Sequence, residues 1–336
     1  MTEPLRVAVL GAGDMGGKHV DAWQSLGHQV TVLADIDRER AATLAERHGV
    51  PRTVADYRAA IAAPDVDVVV VSLPLRFHAL ATIFAAQQGK HVLCEKPLCR
   101  TPDEAEAMEA AVLGAGVHFG VGFQRNLMAG VGLLRTWAAE GRFGRPLLFS
   151  SDLLQTVRPK IAMHDRYGNG GPLTDTACHY YLLWQSVFRS KPTRVYAQGR
   201  VLAIERPEVA AFTQLAVDTA VVTVEYQSGD IGTFTVSWGL AEGFPLAGRP
   251  DRLLGPKGGA EGGMGTGFDV YDGDRKTRVD IDRQDMHRVE AGLFADAVRG
   301  GPPFPYGFRE GVEMLTMTRA VYESIDTGAP VPVRYD

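Results

Sequence analysis

Residues 5–16 read LRVAVLGAGDMG. An apolar run, a glycine-rich turn and the start of a helix follow one another without a gap. In a β-α-β unit, Gly11 permits the tight turn, Gly13 lets backbone approach a pyrophosphate, and Gly16 lets helix and strand pack closely. The helix N-terminus then presents unbonded N–H groups and a partial positive charge to phosphates. In a chain with 38 glycines a bare GxGxxG says little. Its place between an apolar strand and a helix gives it weight, and it constrains the first part of the chain to a doubly wound parallel sheet.

The next hundred residues keep that grammar. Met15–Leu26 has helical spacing, and Val30–Ala34 reads as a strand. Asp37 can cap a helix that Gly49 ends. Val66–Ser72 is a β-branched run of the kind buried on both faces of a sheet. His78–Gln88 is helical, His91–Cys94 a strand, Glu104–Leu113 helical and Val117–Val121 a strand. The expected fold class is α/β: a Rossmann dinucleotide-binding domain over residues 1–122.

After Gly122 the pattern changes. Helices are expected at Gly130–Glu140 and Pro172–Phe188, with a strand at Pro146–Leu154 between them. Strands then follow without intervening helices: Thr193–Leu202, Val217–Tyr226, Ile231–Trp238, Asp251–Gly255, Phe268–Tyr271 and Lys276–Ile281. QSGD and DGD mark hairpin turns. GPKGGAEGGMGTG (255–267) reads as a turn and flexible loop, since it lacks the Gly-Lys-Ser/Thr of a P-loop. Two helices, Met286–Arg299 and Phe308–Asp326, close the chain. Residues 123–336 are expected to form an α+β domain on a mostly antiparallel sheet.

Composition removes several function classes. A net charge of −5 without a basic stripe argues against nucleic acid and anionic membrane as partners. VDVVVVSLPL is far too short to span a bilayer. MTEPLRVAVLGAG lacks a basic n-region, so a signal peptide is not expected. Cys94, Cys99 and Cys178 contain no CxxC and suit free thiols in a reducing cytoplasm. The nine histidines form neither HxH nor HExxH, so no metal site is expected.

Asp35 ends the second strand, where a carboxylate can bind the adenosine ribose hydroxyls. It would repel a 2′-phosphate, which favours NAD over NADP. Arg38 is a nearby cation that could swing toward a phosphate, but a role on the helix face is the preferred reading. Two further stretches end strands on the ligand side of the sheet: Ser72, Leu73 and Pro74 with His78, and Glu95-Lys96-Pro97. Pro97 holds Lys96 extended, which sends Glu95 and Lys96 to opposite sides. The cofactor-contacting set is therefore Gly11, Gly13, Asp14, Met15, Gly16, Asp35, Ser72, Leu73, Pro74, His78, Glu95 and Lys96.

With GAGDMG, Asp35, SLPLRFH and CEKP, followed by GFQR (122–125), GGPLTDTACH (170–179) and a final GVEMLTMTRAVYESIDTGAPV, the chain resembles the Gfo/Idh/MocA oxidoreductases. These pieces span nearly its whole length. The resemblance implies hydride transfer between a nicotinamide and a secondary hydroxyl or keto carbon of a sugar, inositol or related polyol. It also implies a substrate-binding and oligomerisation domain with a large, open sheet, through which a homodimer or homotetramer is built. Carried over residue by residue, Lys96, Asp175 and His179 match the catalytic set, while Gln124, Arg125 and Trp238 match substrate-facing positions. Many members carry an acid three residues after the histidine, where this chain has Leu182.

The residues support such chemistry on their own terms. Asp175 and His179 stand at i and i+4 of one expected helix, so they project from one face. Leu173, Ala177, Tyr180, Trp184 and Phe188 trace another, apolar face. A histidine can take the hydroxyl proton as hydride leaves. A lysine can donate a hydrogen bond to the oxygen as charge develops. His164-Asp165 reads either as part of a lid or as a solvated loop. Two other functions fit the same motifs: NAD-dependent glycoside cleavage through transient oxidation and elimination, and a cofactor-bound regulatory protein without catalysis.

Overall fold

The computed structural model describes residues 3–244 and 248–335. The first part runs β1 (Arg6–Leu10), α1 (Asp14–Ser25), β2 (Gln29–Ala34), α2 (Arg38–His48), β3 (Thr53–Val54), α3 (Tyr57–Ile61), β4 (Val68–Val71), α4 (His78–Gln87), β5 (His91–Glu95), α5 (Pro102–Ala115) and β6 (Phe119–Gly122). The six strands form one parallel sheet in the order β3-β2-β1-β4-β5-β6. Strand order reverses beside β1, which places the crevice for ligands at the carboxyl ends of β1 and β4.

Period-2 alternation builds two cores from one strand. Val7 and Val9 pack with Val20, Trp23, Leu44 and Phe294 on one face. Ala8 and Leu10 pack with Ile61, Ala81 and Ala85 on the other. β4 is four valines, all fully buried, as a strand covered on both faces requires. Each large apolar side chain so buried contributes about 1.5–3 kcal/mol. Asp37 caps α2 through Arg40 N, and Gly49 ends it in the left-handed region, as its sequence indicates. Helix α5 starts two residues before the expected Glu104, because Thr101 caps it by accepting from Glu104 N and Pro102 fits its first turn. The short β3 and α3 carry too little periodicity to be read beforehand.

The second part runs α6 (Ala129–Ala139), β7 (Leu148–Thr156), α7 (Gly171–Asp175), α8 (Ala177–Phe188), β8 (Pro192–Arg200), β9 (Thr219–Tyr226), β10 (Ile231–Leu240), β11 (Asp251–Gly255), β12 (Gly258–Gly263), β13 (Gly267–Asp272) and β14 (Arg275–Val279). The chain closes with α9 (Met286–Val298), α10 (Phe308–Thr327) and β15 (Val331–Pro332). The second sheet has nine strands in the order β14-β13-β12-β11-β7-β10-β9-β8-β15, antiparallel except for the β7–β10 pair. Gly232 on β10 leaves room for a flat indole, since a Cβ there would lie 2.3 Å from Trp184 Cε3 of α8.

Two expectations need correction here. The glycine-rich stretch expected to be a loop contains β12, paired on both edges. Its glycines permit close backbone approach: a Cβ at Gly258 would meet Tyr271 O at 2.1 Å. The single helix expected over Pro172–Phe188 is two, interrupted at Thr176, where φ stretches to −118°.

By its internal contacts the chain forms two units, residues 1–124 with 285–312, and residues 125–284 with 313–336. This differs from one cut between 122 and 123. The reason is α9, which packs along α1 and puts Phe294 into the core of the parallel sheet.

Candidate functional site

In the first unit the glycine turn is built as its sequence demands. Gly11 has φ +95°, and a Cβ there would sit 2.5 Å from Ser72 O. Gly16 tolerates no side chain, because a Cβ would lie 1.8 Å from Gly11 O. Gly13 is different in kind. It occupies the N-cap of α1 without side-chain capping, and a Cβ on it would meet nothing within 4 Å. Space beside an uncapped helix N-terminus is what a pyrophosphate needs, so these residues fit the cofactor. Met15 lies half-buried in the first turn of α1, and Asp14 beside it is exposed, with its carboxylate 3.3 Å from Lys18 Nζ.

Asp35 is buried at the end of β2 and makes four contacts. It accepts from Ala12 N at 2.7 Å, Asp37 N at 2.9 Å, and Arg40 Nε and Nη2 at 3.2 and 2.7 Å. Burial alone would raise its pKa; the Arg40, Ala12 and Asp37 hydrogen bonds outweigh that and hold the carboxyl below its ordinary range. The cation facing Asp35 is Arg40, which the sequence reading did not single out. A cavity of about 360 Å³ lies alongside, lined by Ala12, Asp37, Arg40, Leu44 and Arg47 among others.

At the next strand end, Ser72 Oγ donates to Leu10 O at 2.7 Å and joins β4 to the glycine turn. Leu73 is half-buried and Pro74 exposed. His78, expected at the cofactor, is committed to the scaffold: its ring nitrogens lie 2.8 and 2.9 Å from Pro97 O and Leu73 O. Burial lowers its pKa, so the neutral ring donates to one of the two carbonyls. Glu95 is likewise turned inward, onto His19 at 3.0 Å. Lys96 is half-buried, its backbone N–H donates to Glu95 Oε2 at 3.2 Å, and its bond to Pro97 is cis. Gln124, expected at the substrate, is 4 % exposed with its amide nitrogen 3.4 Å from His287 Nε2.

In the second unit Asp175 and His179 are both buried. The break at Thr176 puts Asp175 at the last position of α7 and His179 in the first turn of α8, so their relation is not that of one continuous helix face. His179 N donates to Thr176 O at 3.2 Å. Asn126, which no motif signalled, donates to His179 O at 3.1 Å and fixes that first turn. Leu182, at the position often acidic in the resembling family, is core. Arg125 is exposed; its charge acts on Tyr180 and on Asp251. Asp251, also missed, is pushed up to about 6 by burial, against the opposing charge of Arg125. Trp238 is buried, with the His164 ring centroid 6.2 Å away and the Arg158 guanidinium 5.4 Å from its ring. His164 is itself buried and accepts from Arg158 N, which excludes the solvated-loop reading. Burial raises the Cys94 and Cys99 thiols, the latter to about 12, so both are poor nucleophiles.

Residues 5–123 match the oxidoreductase family with the NAD-binding Rossmann fold, and residues 131–261 match the GFO/IDH/MocA C-terminal domain. The 1,5-anhydro-D-fructose reductase of Ensifer adhaerens is 27% identical over 96% of this chain and 97% of its own. The myo-inositol 2-dehydrogenase of Thermotoga maritima is 25% identical over 96% of each. The fold of a levoglucosan dehydrogenase solved with NADH and levoglucosan superposes with a TM-score of 0.85, covering 99% of this chain and 100% of that one at 24% identity. Two family domains in order identify the chain as a member of the Gfo/Idh/MocA family of NAD-binding oxidoreductases.

Proposed function

We propose that the protein oxidises a secondary hydroxyl, or reduces the matching ketone, of a sugar, inositol or related polyol. The observation that carries this reading is the buried histidine in the first turn of α8, with a buried carboxylate closing α7 just before it, in a chain that also holds Lys96 beside the dinucleotide cradle. The names of the reductase and dehydrogenase relatives support a polyhydroxylated substrate. Bound NAD supplies a hydride acceptor at nicotinamide C4. His179 takes the hydroxyl proton, a role worth about 10²- to 10⁴-fold in rate. Lys96 donates a hydrogen bond to the oxygen as it becomes negative, and Asp175 orients the imidazole or holds a neighbouring hydroxyl. In the reverse direction His179 returns the proton.

NAD is favoured over NADP. Asp35 is an anion at neutral pH, and Arg40 is neutralised by Asp35 and by Asp37 at 3.5 Å. The nine-stranded sheet supports a homodimer or homotetramer: helices cover one face, while Tyr196 and Val221 project from the other at 39% and 56% exposure. No described helix is long and apolar enough to cross a membrane.

The test is NADH formation from NAD, and separately from NADP, across inositols, aldoses, anhydrosugars and deoxysugars, with keto-sugars assayed in reverse. Turnover on at least one polyol supports the reading. Bound cofactor without net NADH, together with release of a leaving group from glycosides, would move the assignment to oxidative elimination.

A further inference from the structure

We infer that the buried His19–Glu95 pair is a positioning device that fixes the backbone from which Lys96 projects. This rests on the reading of Lys96 as the hydrogen-bond donor to the reacting oxygen.

Glu95 is the last residue of β5 and is 5 % exposed. Its two oxygens are used in two directions. Oε1 lies 3.0 Å from His19 Nε2 on α1, and Oε2 accepts from the backbone N–H of Lys96 at 3.2 Å. The second bond fixes the peptide plane between residues 95 and 96, and with it the start of the Lys96 side chain. The first bond ties that plane to a helix that is itself packed into the core. Gly122 pairs with Glu95 on β6, and a Cβ there would lie 3.3 Å from Glu95 Oε2, so the neighbouring strand walls the carboxylate in.

The surroundings place a single negative charge at that spot. The His287 ring on α9 stands edge-on to His19, with centroids 5.9 Å apart. Glu290, also on α9, is fully buried, and neither of its oxygens has a partner among the described residues. Burial would raise both carboxyls. For Glu95 the His19 hydrogen bond, with the charges of His19, Lys96 and His287, outweighs burial and brings it below its ordinary range. Glu290 has no such partner, and burial and then the Glu95 charge push it far up. Glu95 therefore carries the charge and Glu290 the proton. A buried carboxylate is a poor stabiliser compared with apolar residues of the same volume. Its effect here is directional: a fixed anion, one residue from Lys96, that holds a backbone donor.

The test is a double-mutant cycle on the holoenzyme with a substrate that turns over. Glu95→Gln should lower kcat about tenfold or more, while KM and NAD affinity stay within about threefold. In a Lys96→Ala background the same substitution should cost less than about twofold, because its route of action is gone. His19→Gln, which keeps a donor for Glu95, should retain most of kcat, whereas His19→Ala should match Glu95→Gln. If Glu95→Gln does not fold, the two His19 variants in both backgrounds carry the test. Additive losses in the cycle, or wild-type kcat in Glu95→Gln alongside a collapsed Lys96→Ala, would overturn this inference alone. Wild-type kcat in Lys96→Ala would overturn it together with the assignment of Lys96.

Discussion

A Cβ on Gly16 would sit 1.8 Å from the carbonyl oxygen of Gly11, whereas a Cβ on Gly13, three residues earlier, would touch nothing. Two glycines of one motif therefore answer to different constraints: the fold demands Gly16, and on the proposed reading the ligand demands Gly13. Gly16→Ala pushes α1 off the turn after β1, against backbone that cannot yield, and should cost about 3 kcal/mol or more in urea unfolding. Gly13→Ala should leave the unfolding midpoint close to wild type and weaken NAD by about tenfold or more, since the methyl occupies space beside the helix N-terminus. Equal stability of the two variants would refute the distinction.

Asp35 should decide between the two dinucleotides. Its carboxylate is anionic at neutral pH and already oriented by Ala12 N and Asp37 N. A ribose that binds it does so in place of Arg40. Asp35→Ala removes a charged acceptor and should weaken NAD about ten- to a hundredfold. NADP should lose far less or gain, because Arg40 is released to meet a phosphate. The check is a pair of fluorescence titrations, and an unchanged NAD to NADP ratio would count against the ribose role.

The architecture was legible where local pattern and tertiary context agree. Val68–Val71 reads as a doubly buried strand and is one. Legibility failed where a side chain's partner is remote in sequence. Glu95 and His78 stand at strand ends where ligands bind, but His19 lies 76 residues from Glu95, and His78 reaches Pro97 19 residues on. No spacing rule shows that these polar groups are consumed by the scaffold. The GGAEGG strand failed for another reason: glycine lowers strand propensity, yet a Cβ at Gly258, Gly259 or Gly262 would collide with neighbouring backbone. The Thr176 break is a third case, since the apolar spacing runs through it unchanged while the backbone does not.

Removing His179 or Lys96, the side chains proposed to act on the reacting oxygen, should spare cofactor binding. His179→Ala should cut turnover by about 10²- to 10⁴-fold and Lys96→Ala by at least about tenfold. Neither side chain belongs to the glycine turn or to the Asp35 contacts, so NAD should still bind both variants, with affinity within about threefold for His179→Ala and a larger loss for Lys96→Ala, which stands in the expected cofactor-contacting set. Calorimetric NAD titration beside steady-state kinetics separates the two effects. Near wild-type turnover in both variants would remove the catalytic assignment.

Glu290 makes a prediction about pH. Its carboxyl is fully buried, unpartnered among the described residues, and raised well above its ordinary value by burial and then by the charge of Glu95. For an acid whose folded-state pKa exceeds its unfolded one, the stability it contributes is complete below the unfolded value of about 4.5 and is lost as pH rises through the folded value. Glu290→Gln carries no proton to lose. Whatever fixed cost its amide adds, the variant should gain on the wild type as pH rises from about 5 to about 7, at no more than about 1.4 kcal/mol per pH unit. Urea midpoints at the two pH values read this directly. A stability gap that does not change with pH would mean that the proton on Glu290 is not what burial holds there.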